Sequence, residues 1–538
     1  MLRKQIYKWH RRLSLLISLP VLVWAISGFM HPLMTTIRPS VATQFLVPTI
    51  TDSSKLRMPL QAALQKNNIA QFHNVRLVHI DSNWFYQVQL LPNGIPQYLS
   101  TQTGRLLANG DRLYAQYIAK LFLEGPPPST NNATAAPIAT TVAALLPSAN
   151  TGQHDCCDAA TNCVLLNEKG SQVTAVSAIT HFDEAYKNIN RLLPVYKVSF
   201  NRADGIRIYV HTSSDRFAYA VDNKRAIFDT IFAWLHNWVW LDALGVAKYY
   251  IMALLLVLTI ITTIAGLYIF FISNTKKANG NSLVAARRNH RWTAVPISLF
   301  TLMFAFSGAY HCIKKTTPDN RNDFYNQQQI QTNHANLNLQ KLQQLVKQPI
   351  INFSAAQINQ QLYWRIIVKA TPGKQAATHN KDQMKDKMVE MPTTLLVHAA
   401  NNDILPQGEQ QFAQYLAGLF SKQPAGSSIG TTPITKFEGE YGFVNKRLPV
   451  WKVSYPVHNN ERYYIETSTG SLAVRVDDTD LAEGYSFALM HKHHFMDWAG
   501  KAARDFSSMF WAAAQIAMVA IGLLLWRKSK QKNKKTMV

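Results

Sequence analysis

Cysteine and acidic side chains are both scarce in this chain of 538 residues. It has four cysteines, and 31 Asp and Glu stand against 55 Lys and Arg, which gives a net charge of +24. It also lacks the His-Glu-x-x-His zinc motif, a phosphate-binding glycine loop and the glycine fingerprint of dinucleotide-binding enzymes. These absences exclude the enzyme classes that depend on those motifs, including oxidoreductases that bind NAD(P)H through a recognised motif.

The basic excess is concentrated in three short segments. Residues 1–12 and 273–291 each carry five Lys or Arg and no acid, and residues 527–538 carry six and no acid. Each segment adjoins an apolar stretch, which is the pattern that marks the cytoplasmic side of membrane proteins. We therefore reject nucleic acid as a partner. We expect both termini to be cytoplasmic, and the regions from about 38 to 247 and 314 to 505 to lie outside.

Four stretches lack Asp, Glu, Lys and Arg altogether: residues 13–37, 249–275, 292–313 and 506–526. Roughly 20 apolar residues are enough for a helix to cross the hydrocarbon core of a bilayer. The first stretch also has the basic start and apolar core of a secretory signal peptide. It is not followed by a small-x-small cleavage site, and a related phrase recurs at residue 290. We therefore interpret all four stretches as membrane-spanning helices.

One phrase occurs twice along the chain. Residues 10–31 begin with His-Arg-Arg and end with Ser-Gly-Phe-Met-His, and residues 290–311 begin with His-Arg-Trp and end with Ser-Gly-Ala-Tyr-His. The two histidines of each copy are 21 positions apart, which places them about 31 Å apart along a helix, so they cannot share one haem. A membrane-length helix with a histidine at each end, used twice, suggests haem and electron transfer across a bilayer.

The similarity between the two halves of the chain extends beyond this phrase. Residues 114–122 resemble residues 412–420, and residues 193–200 resemble residues 448–455. From there an offset of 255 places His236 on His491, Asp242 on Asp497, and Gly245 on Gly500. We therefore predict an internal duplication in which each half consists of span, external domain and span.

The predicted domains follow from this duplication. They are the N-terminus with the first span (1–37), external domain 1 (38–247), the second span (248–275), the connector with the third span (276–313), external domain 2 (314–505), and the fourth span with its basic tail (506–538). The fold class is a membrane protein, an α-helical four-span bundle with two external α+β domains. Helical spacing is seen at residues 60–67 and 114–122, and strand-like alternation at residues 84–91, 196–200 and 207–211.

Three of the four cysteines lie in a stretch of external domain 1 that looks like an insertion, after the Ala-, Pro-, Thr- and Ser-rich residues 125–153. Cys163 can form a disulfide with Cys156 or Cys157, since disulfides persist outside the cell. A metal site that uses these thiols with His154 and Asp155 is the alternative. Cys312, at a membrane edge, is expected to be a buried free thiol.

Six histidines lie at or near the ends of the apolar stretches, where ionisable residues are functional candidates. We predict that four on the external side hold the iron of one or two b-type haems, paired either within each half or across the halves: His31, His236, His311 and His491. Two imidazoles on opposite faces of the ring make such a site. His10 and His290, at the cytoplasmic ends, are a further candidate pair. The alternative for these two is a solvated position beside arginine.

Small and acidic residues near the histidines have two interpretations each. Gly28 and Gly308 lie three residues before His31 and His311 on the same helical face, where the missing Cβ lets a flat ring approach the backbone. The alternative is a small-residue patch for helix packing. Asp242 and Asp497 are predicted to cap the second and fourth spans, rather than to orient an imidazole.

Two further groups of side chains lie close to the second and fourth spans. Trp234, Trp238 and Trp240 are predicted to form an interfacial aromatic belt. His493 and His494 align with no histidine of the first half. We interpret these two histidines as candidate contacts for an external acceptor.

The repeated phrase resembles the PepSY-associated transmembrane helix, and the segment that ends in Thr467-Ser468-Thr469-Gly470 resembles the hairpin of PepSY domains. The chain as a whole is similar to the PepSY-associated inner-membrane proteins of iron uptake, some of which are siderophore-iron reductases with b-type haem. The resemblance implies an inner-membrane protein with two periplasmic PepSY-like domains. It does not define the substrate.

The sequence therefore favours a haem-containing inner-membrane oxidoreductase that passes electrons outward, with ferric siderophore as the expected acceptor. The electron donor is expected to be the quinone pool or a separate cytoplasmic protein. One alternative is a membrane protein without enzymatic activity whose PepSY-like domains bind a peptide, a protein or a metal complex. The other is an iron or siderophore permease, which four spans make less favourable.

Overall fold

The computed structural model describes residues 2–125, 171–274, 279–317, 325–369, 393–424 and 426–535. The predicted insertion that carries Cys156, Cys157 and Cys163 lies outside the described residues. The chain forms two compact units. We call Met1–Arg38, Lys224–Asp319 and Asp478–Val538 the membrane unit, and we call Pro39–Asn223 and Asn320–Asp477 the sheet unit.

The described α-helices are, in chain order, α1 Leu2–Met30, α2 Leu60–Lys66, α3 Gly110–Glu124, α4 Asn223–His236, α5 Ala247–Ile272, α6 Ser282–Lys314, α7 Leu339–Val346, α8 Gly408–Ser421, α9 Asp478–Ser486 and α10 Gly500–Lys535. The described strands are β1 Gln71–Phe72, β2 Asn74–Ile80, β3 Asn83–Gln89, β4 Gln97–Ser100, β5 Val173–Ile179, β6 Val195–Phe200, β7 Arg207–His211, β8 Arg216–Val221, β9 Ile330–Gln331, β10 Ile350–Ile358, β11 Gln361–Val368, β12 Thr393–His398, β13 Ile404–Leu405, β14 Gly430–Ile434, β15 Val450–Ser454, β16 Arg462–Glu466 and β17 Ser471–Val476.

The four predicted spans are confirmed as helical segments long and apolar enough to cross a membrane. They run over Lys4–Met34, Ala247–Ile272, Ser282–Lys314 and His494–Gln531. Three of them extend well beyond the charge-free stretches, because the flanking basic residues continue the helix. Asn281 begins α6 by accepting hydrogen bonds from the backbone N–H groups of Leu283 and Val284, ahead of the arginines.

The spanning helices pack as a bundle in which α1 and α6 each contact both α5 and α10. Small hydroxyl residues lie at these contacts, and Ser27 and Ser307 are almost completely buried. Such residues let helices approach closely in lipid, where no hydrophobic force drives them together. The two helices that carry the repeated phrase therefore share the same pair of neighbours.

Short helices lead into the second and fourth spans. After α4, a 3-10 turn over Val239–Leu244 precedes α5. After α9, a π-helical turn at Phe487–His491 and a 3-10 turn at His494–Ala499 precede α10. Trp238 and His493 both have a left-handed backbone, with φ of 49° and 53°. The chain therefore makes the same sharp bend at both places.

The capping prediction for Asp242 and Asp497 is wrong. Asp242 lies within a 3-10 turn, and its carboxylate accepts a hydrogen bond of 2.5 Å from Nζ of Lys248 on the first turn of α5. Asp497 accepts from Arg504 at 2.7 Å. The extra turn places each carboxylate several residues ahead of the helix, where it reaches a basic side chain instead of the free N–H groups.

The sheet unit consists of antiparallel sheets with helices packed on them, which confirms the predicted α+β class. The sheets have the strand orders β2-β3-β4, β5-β6-β7-β8, β10-β11-β12-β13 and β14-β15-β16-β17, with β1 paired to β9. The predicted helices at 60–67 and 114–122 are α2 and part of α3, and the predicted strand at 207–211 is β7. Helix α3 covers β5, β6 and β7, and α8 covers β12, β15 and β16.

The two halves of the chain meet inside the sheet unit through reciprocal amide contacts. Asn74 Oδ1 accepts from the backbone N–H of Ala355 at 3.1 Å, and Asn352 Oδ1 accepts from that of Leu77 at 2.9 Å. Asn352 also donates to the carbonyl of Leu77 at 2.8 Å. These bonds join β2 of the first half to β10 of the second, so one continuous core includes both halves.

A buried ion cluster also joins the halves. The carboxylate of Glu466 is fully buried and pairs with Arg216 from the first half and Arg447 from the second. Burial alone would raise the pKa of Glu466, but the two guanidinium groups hold it well below its usual range. The cluster is therefore charged, and it needs side chains from both halves.

Candidate functional site: the histidines of the membrane unit

His236 and His491 lie side by side in the membrane unit. Their ring centroids are 5.9 Å apart and the ring planes are inclined by 77°. Burial, together with the nearby His31 and His311, lowers the pKa of His236 to about 3, and burial with the nearby His236, other histidines and Lys492 lowers that of His491. Both imidazoles are therefore neutral at physiological pH. A neutral imidazole is the form that binds a metal.

A serine on a spanning helix orients each of these two imidazoles. The Ser27 hydroxyl donates to the carbonyl of Trp24 at 2.9 Å, so it accepts the proton of His236 Nδ1, also at 2.9 Å. The Ser307 hydroxyl donates to Phe304 at 3.4 Å and lies 3.2 Å from His491 Nδ1. With the proton on Nδ1, the Nε2 lone pair of each ring is free to bind iron.

A phenyl ring contacts the two external histidines in each half. The ring of Phe232 lies 5.6 Å from that of His31 and 4.8 Å from that of His236. In the second half, the ring of Phe487 lies 5.4 Å from that of His311 and 4.8 Å from that of His491. The four predicted external ligands thus lie in one cluster. The direct contact between the rings of His236 and His491 favours pairing across the halves. Within each half, one phenyl ring contacts both histidines.

The two halves differ at His311. Its Nδ1 lies 2.6 Å from Oε1 of Glu483, a residue of α9. A carboxylate at this position orients an imidazole and makes it a stronger donor to a metal. In the first half Phe228 stands at the position equivalent to Glu483. The two external histidine pairs therefore have unequal electrostatic surroundings.

Sequence analysis missed the serine and phenylalanine partners. The signal was available, because the offset of 280 aligns Ser27 with Ser307 and the offset of 255 aligns Phe232 with Phe487. Serine and phenylalanine are common in spans and neither type binds haem iron, so the repeated pairs do not stand out in the sequence.

His10 and His290 lie within the bundle, toward the opposite ends of α1 and α6. His10 Nδ1 lies 3.1 Å from the carbonyl oxygen of Thr262 on α5. His290 Nδ1 is buried and has no hydrogen-bond partner among the described residues. These contacts favour a role inside the bundle over a solvated position.

Glycine faces each of these two histidines. A Cβ at Gly266 would lie 3.0 Å from Cε1 of His10, and one at Gly522 would lie 3.8 Å from Cε1 of His290. By contrast, a Cβ at Gly28 would meet Ala512 at 3.9 Å, and one at Gly308 would meet Leu256 at 3.2 Å. The predicted Gly28 and Gly308 therefore lie at helix contacts, which favours the packing interpretation for both. Their role beside a haem stays a prediction.

His493 is fully buried, which disfavours direct contact with an external acceptor, and that contact stays a prediction. His493 aligns with Trp238 of the first half. Each of these two side chains stacks on an aromatic residue of the repeated phrase in its own half: Trp238 on Trp24 at 4.8 Å, and His493 on Phe304 at 5.2 Å. The belt prediction is therefore wrong for Trp238, which is buried. Trp234 and Trp240 are more than half exposed, as a belt requires.

Two neutral imidazoles are the donor set of a bis-histidine haem. Among the described residues, no group of three or more His, Cys, Asp and Glu has the arrangement of a metal-ion site. In a bis-histidine haem, iron–nitrogen bonds of roughly 2 Å place the two ring centres about 6 Å apart. The separation of His236 and His491 matches that distance. Cys312 is a buried free thiol, as predicted.

Four apolar helices, two of which carry histidines toward both ends, are joined to small antiparallel sheets and define a multi-pass membrane protein with polar sites in its bundle. The model of the PepSY-associated TM region matches residues 130–529, and the chain belongs to this family. The predicted resemblance is thereby confirmed. No curated protein matches the chain.

Proposed function

We propose that the protein is a b-type haem oxidoreductase of the inner membrane that passes electrons to a periplasmic acceptor, with ferric siderophore as the expected substrate. The single observation that carries the proposal is the contact between His236 and His491, each oriented by a serine of a spanning helix. A pair of neutral imidazoles with free Nε2 atoms at this separation suits an iron between them.

Each half is proposed to supply the same set of ligands, as expected from an internal duplication. His236 and His491 are proposed as ligands of an external haem, and His31 and His311 as ligands of the same or a second external haem. His10 and His290 are the proposed ligands at the cytoplasmic end. A bound haem would supply an iron that takes up and gives up one electron at a time.

The protein side chains position the ligands and keep water out. Ser27 and Ser307 hold the imidazole protons on Nδ1, and Glu483 does the same for His311. Phe232 and Phe487 cover the external histidines with apolar surface. A dry, apolar surrounding controls solvent access and redox potential at a metal site.

The topology supports outward electron transfer. In the proposed topology the termini and the connector are cytoplasmic, as their basic segments favour. The sheet unit, with its proposed pair of PepSY-like domains, is then periplasmic. Ferric iron is held by hard oxygen ligands, and ferrous iron suits such ligands less well, so a siderophore releases its iron after reduction. This chemistry makes a periplasmic reductase useful for iron uptake.

The test is the visible spectrum of the purified full-length protein after expression with sufficient haem. We expect a b-type α-band in the reduced-minus-oxidised spectrum. His31→Ala, His236→Ala, His311→Ala and His491→Ala should each lower the haem content or alter the spectrum. The haem per polypeptide is measured as the pyridine haemochrome at matched expression. The matched control is His398→Ala, a histidine on β12 of the sheet unit.

Two results would contradict the proposal. A protein without an α-band removes haem chemistry and leaves a PepSY protein that binds a partner. Full haem content with an unchanged spectrum in all four alanine variants removes the ligand assignment. Reduction of a ferric siderophore by the dithionite-reduced protein, followed as loss of the ferric-siderophore absorbance, tests the substrate separately.

A further inference from the structure

The ring of His493 is 0% exposed, and its Nε2 atom has no hydrogen-bond partner among the described residues. Such an atom is unfavourable in an apolar interior, and native proteins seldom leave one unsatisfied. A tryptophan occupies the equivalent position in the first half, on the same left-handed backbone. The fold therefore does not require a histidine here, and its free nitrogen indicates a ligand.

Flat apolar side chains pack against the ring of His493. The ring of His493 lies 5.2 Å from that of Phe304, 5.4 Å from that of Phe300 and 5.2 Å from that of Phe495. Phe300 in turn stacks on Trp511 at 3.8 Å. Aromatic faces of this kind favour a flat apolar ring, and the imidazole favours a ligand with a polar atom at its edge.

This position adjoins the proposed iron site and shares one phenyl ring with it. The ring of Phe304 contacts His491 at 5.5 Å and His493 at 5.2 Å, so it packs against both imidazoles.

The choice of which ring nitrogen carries the proton is less constrained in His493 than in His236. Nδ1 of His493 lies 3.0 Å from the Ser507 hydroxyl, and that hydroxyl makes no second hydrogen bond among the described residues.

The freedom of the Ser507 hydroxyl determines which hydrogen bonds Nε2 of His493 can make. Ser507 can accept from Nδ1 or donate to it, so Nε2 can act as an acceptor or as a donor. A quinone presents a carbonyl that needs a donor, and the corresponding quinol presents a hydroxyl that needs an acceptor. One imidazole with a free choice of tautomer serves both forms.

The ligand can reach this position from the bilayer. Phe495, which shields His493, is 42% exposed, and Phe510, whose ring lies 5.0 Å from that of Trp511, is 51% exposed. Both side chains belong to the segment His494–Gln531, which is apolar enough to span a membrane. A rotation of the Phe495 ring would open a path to Nε2 from the lipid side. This excludes a water-soluble nucleotide and favours a lipid-soluble ring.

We propose that His493 anchors the head group of a lipid-soluble quinone or quinol against Phe300, Phe304 and Trp511. This site is where the proposed oxidoreductase would receive electrons from its donor. Only this role of the site rests on the proposed function. Binding of the quinone needs no haem.

The experiment uses the full-length protein in detergent, with decylubiquinone and menadione as probes, and measures affinity and stoichiometry by titration calorimetry. We expect about one quinone per chain. His493→Trp keeps a side chain that this backbone carries in the first half, and His493→Phe removes both ring nitrogens. Each should weaken binding at least roughly tenfold, since a buried hydrogen bond is lost. His494→Gln is the control and should bind like the wild type.

The same samples give the visible spectrum, which separates this proposal from the proposed function. Unchanged quinone affinity in both His493 variants overturns the quinone site. A changed haem spectrum in these variants assigns His493 to iron and overturns it as well. Quinone binding that depends on His493 in a protein without haem supports the site and contradicts the proposed function.

Discussion

The Ser27 hydroxyl lies 2.9 Å from Nδ1 of His236, and the hydroxyl of Ser307 repeats this contact with His491 at 3.2 Å. Both serines also donate to a carbonyl of their own helix, which favours a hydroxyl oxygen that accepts from the imidazole. The spanning helix thereby determines which nitrogen of each imidazole faces outward from the serine. The orientation of a candidate ligand therefore depends on a residue that is not itself a ligand.

We expect Ser27→Ala and Ser307→Ala each to weaken haem retention by roughly 10- to 100-fold, as loss of an outer partner of a metal-binding histidine does elsewhere. The measurement is the transfer of haem to apomyoglobin, together with the reduction potential. The matched control for Ser27→Ala is Ser18→Ala, also on α1, whose hydroxyl donates to the carbonyl of Leu15. Equal haem loss from Ser18→Ala would mean that the effect comes from the helix and not from the imidazole.

Gly266 and Gly28 provide a matched pair of substitutions to alanine. At Gly266 the new methyl group would lie 3.0 Å from His10 and must displace its ring, whereas at Gly28 it would meet Ala512 at an ordinary 3.9 Å. We expect Gly266→Ala to change the spectrum of the haem proposed to bind His10 and His290, and Gly28→Ala to leave it unaltered. Low-temperature reduced-minus-oxidised spectra check this. A larger change in Gly28→Ala would return that glycine to the haem site.

The topology is tested with reporter fusions after Arg38, Ser282 and Lys528. We expect an external signal from the first and cytoplasmic signals from the other two, because basic segments stay on the cytoplasmic side. The readouts are alkaline phosphatase activity and fluorescence of a fused green fluorescent protein. A cytoplasmic signal at Arg38 would invert the arrangement and place the external histidine cluster on the wrong side for a periplasmic acceptor.

Asp111 predicts a pH dependence of the sheet unit. Burial raises the pKa of its carboxyl to about 6, although Tyr98 donates a hydrogen bond to it at 2.7 Å. Because the pKa of Asp111 is higher in the folded protein than the unfolded value of 3.8, the protonated carboxyl contributes to folding stability. This contribution is complete below pH 3.8 and is lost as the pH rises through about 6. The difference between the two pKa values corresponds to roughly 3 kcal/mol in the free energy of unfolding.

The test for Asp111 is the thermal unfolding temperature of the full-length protein between pH 4.5 and 7.5. We expect Asp111→Asn to remove the part of the pH dependence near pH 6, because the amide accepts the bond from Tyr98 without ionising. Glu409, at the equivalent position of α8, pairs with Arg365 at 2.7 Å and serves for comparison. An unchanged pH profile in Asp111→Asn would show that Asp111 stays ionised in the folded protein.

The local features were predictable from the sequence. Charge-free length identified the four spans, and alternation identified β7 at Arg207–His211. Both signals depend on neighbours a few positions apart, and burial of one face enforces them. The grouping of His31, His236, His311 and His491 also followed from the sequence, because a duplicated motif in duplicated helices returns to equivalent places.

The partner of each side chain was not predictable in the same way. Asp242 pairs with Lys248 because a 3-10 turn intervenes, and no signal in the sequence distinguishes that turn from a helix start. Gly28 faces Ala512 from a helix almost 500 positions away, and Gly266 faces His10 although it belongs to no repeated phrase. Such contacts depend on how helices rotate about their axes in the bundle, which periodicity alone does not determine.

The ion cluster of Glu466, Arg216 and Arg447 has a consequence for how the protein is made. Arg216 leaves the ribosome 250 residues before Glu466. At about 5 to 20 residues per second, that interval is roughly 10 to 50 s. In the proposed topology two further spans must be inserted during this time. The first external region therefore has to wait, with one face open and a guanidinium group still in water, until its counterion has been synthesised and translocated.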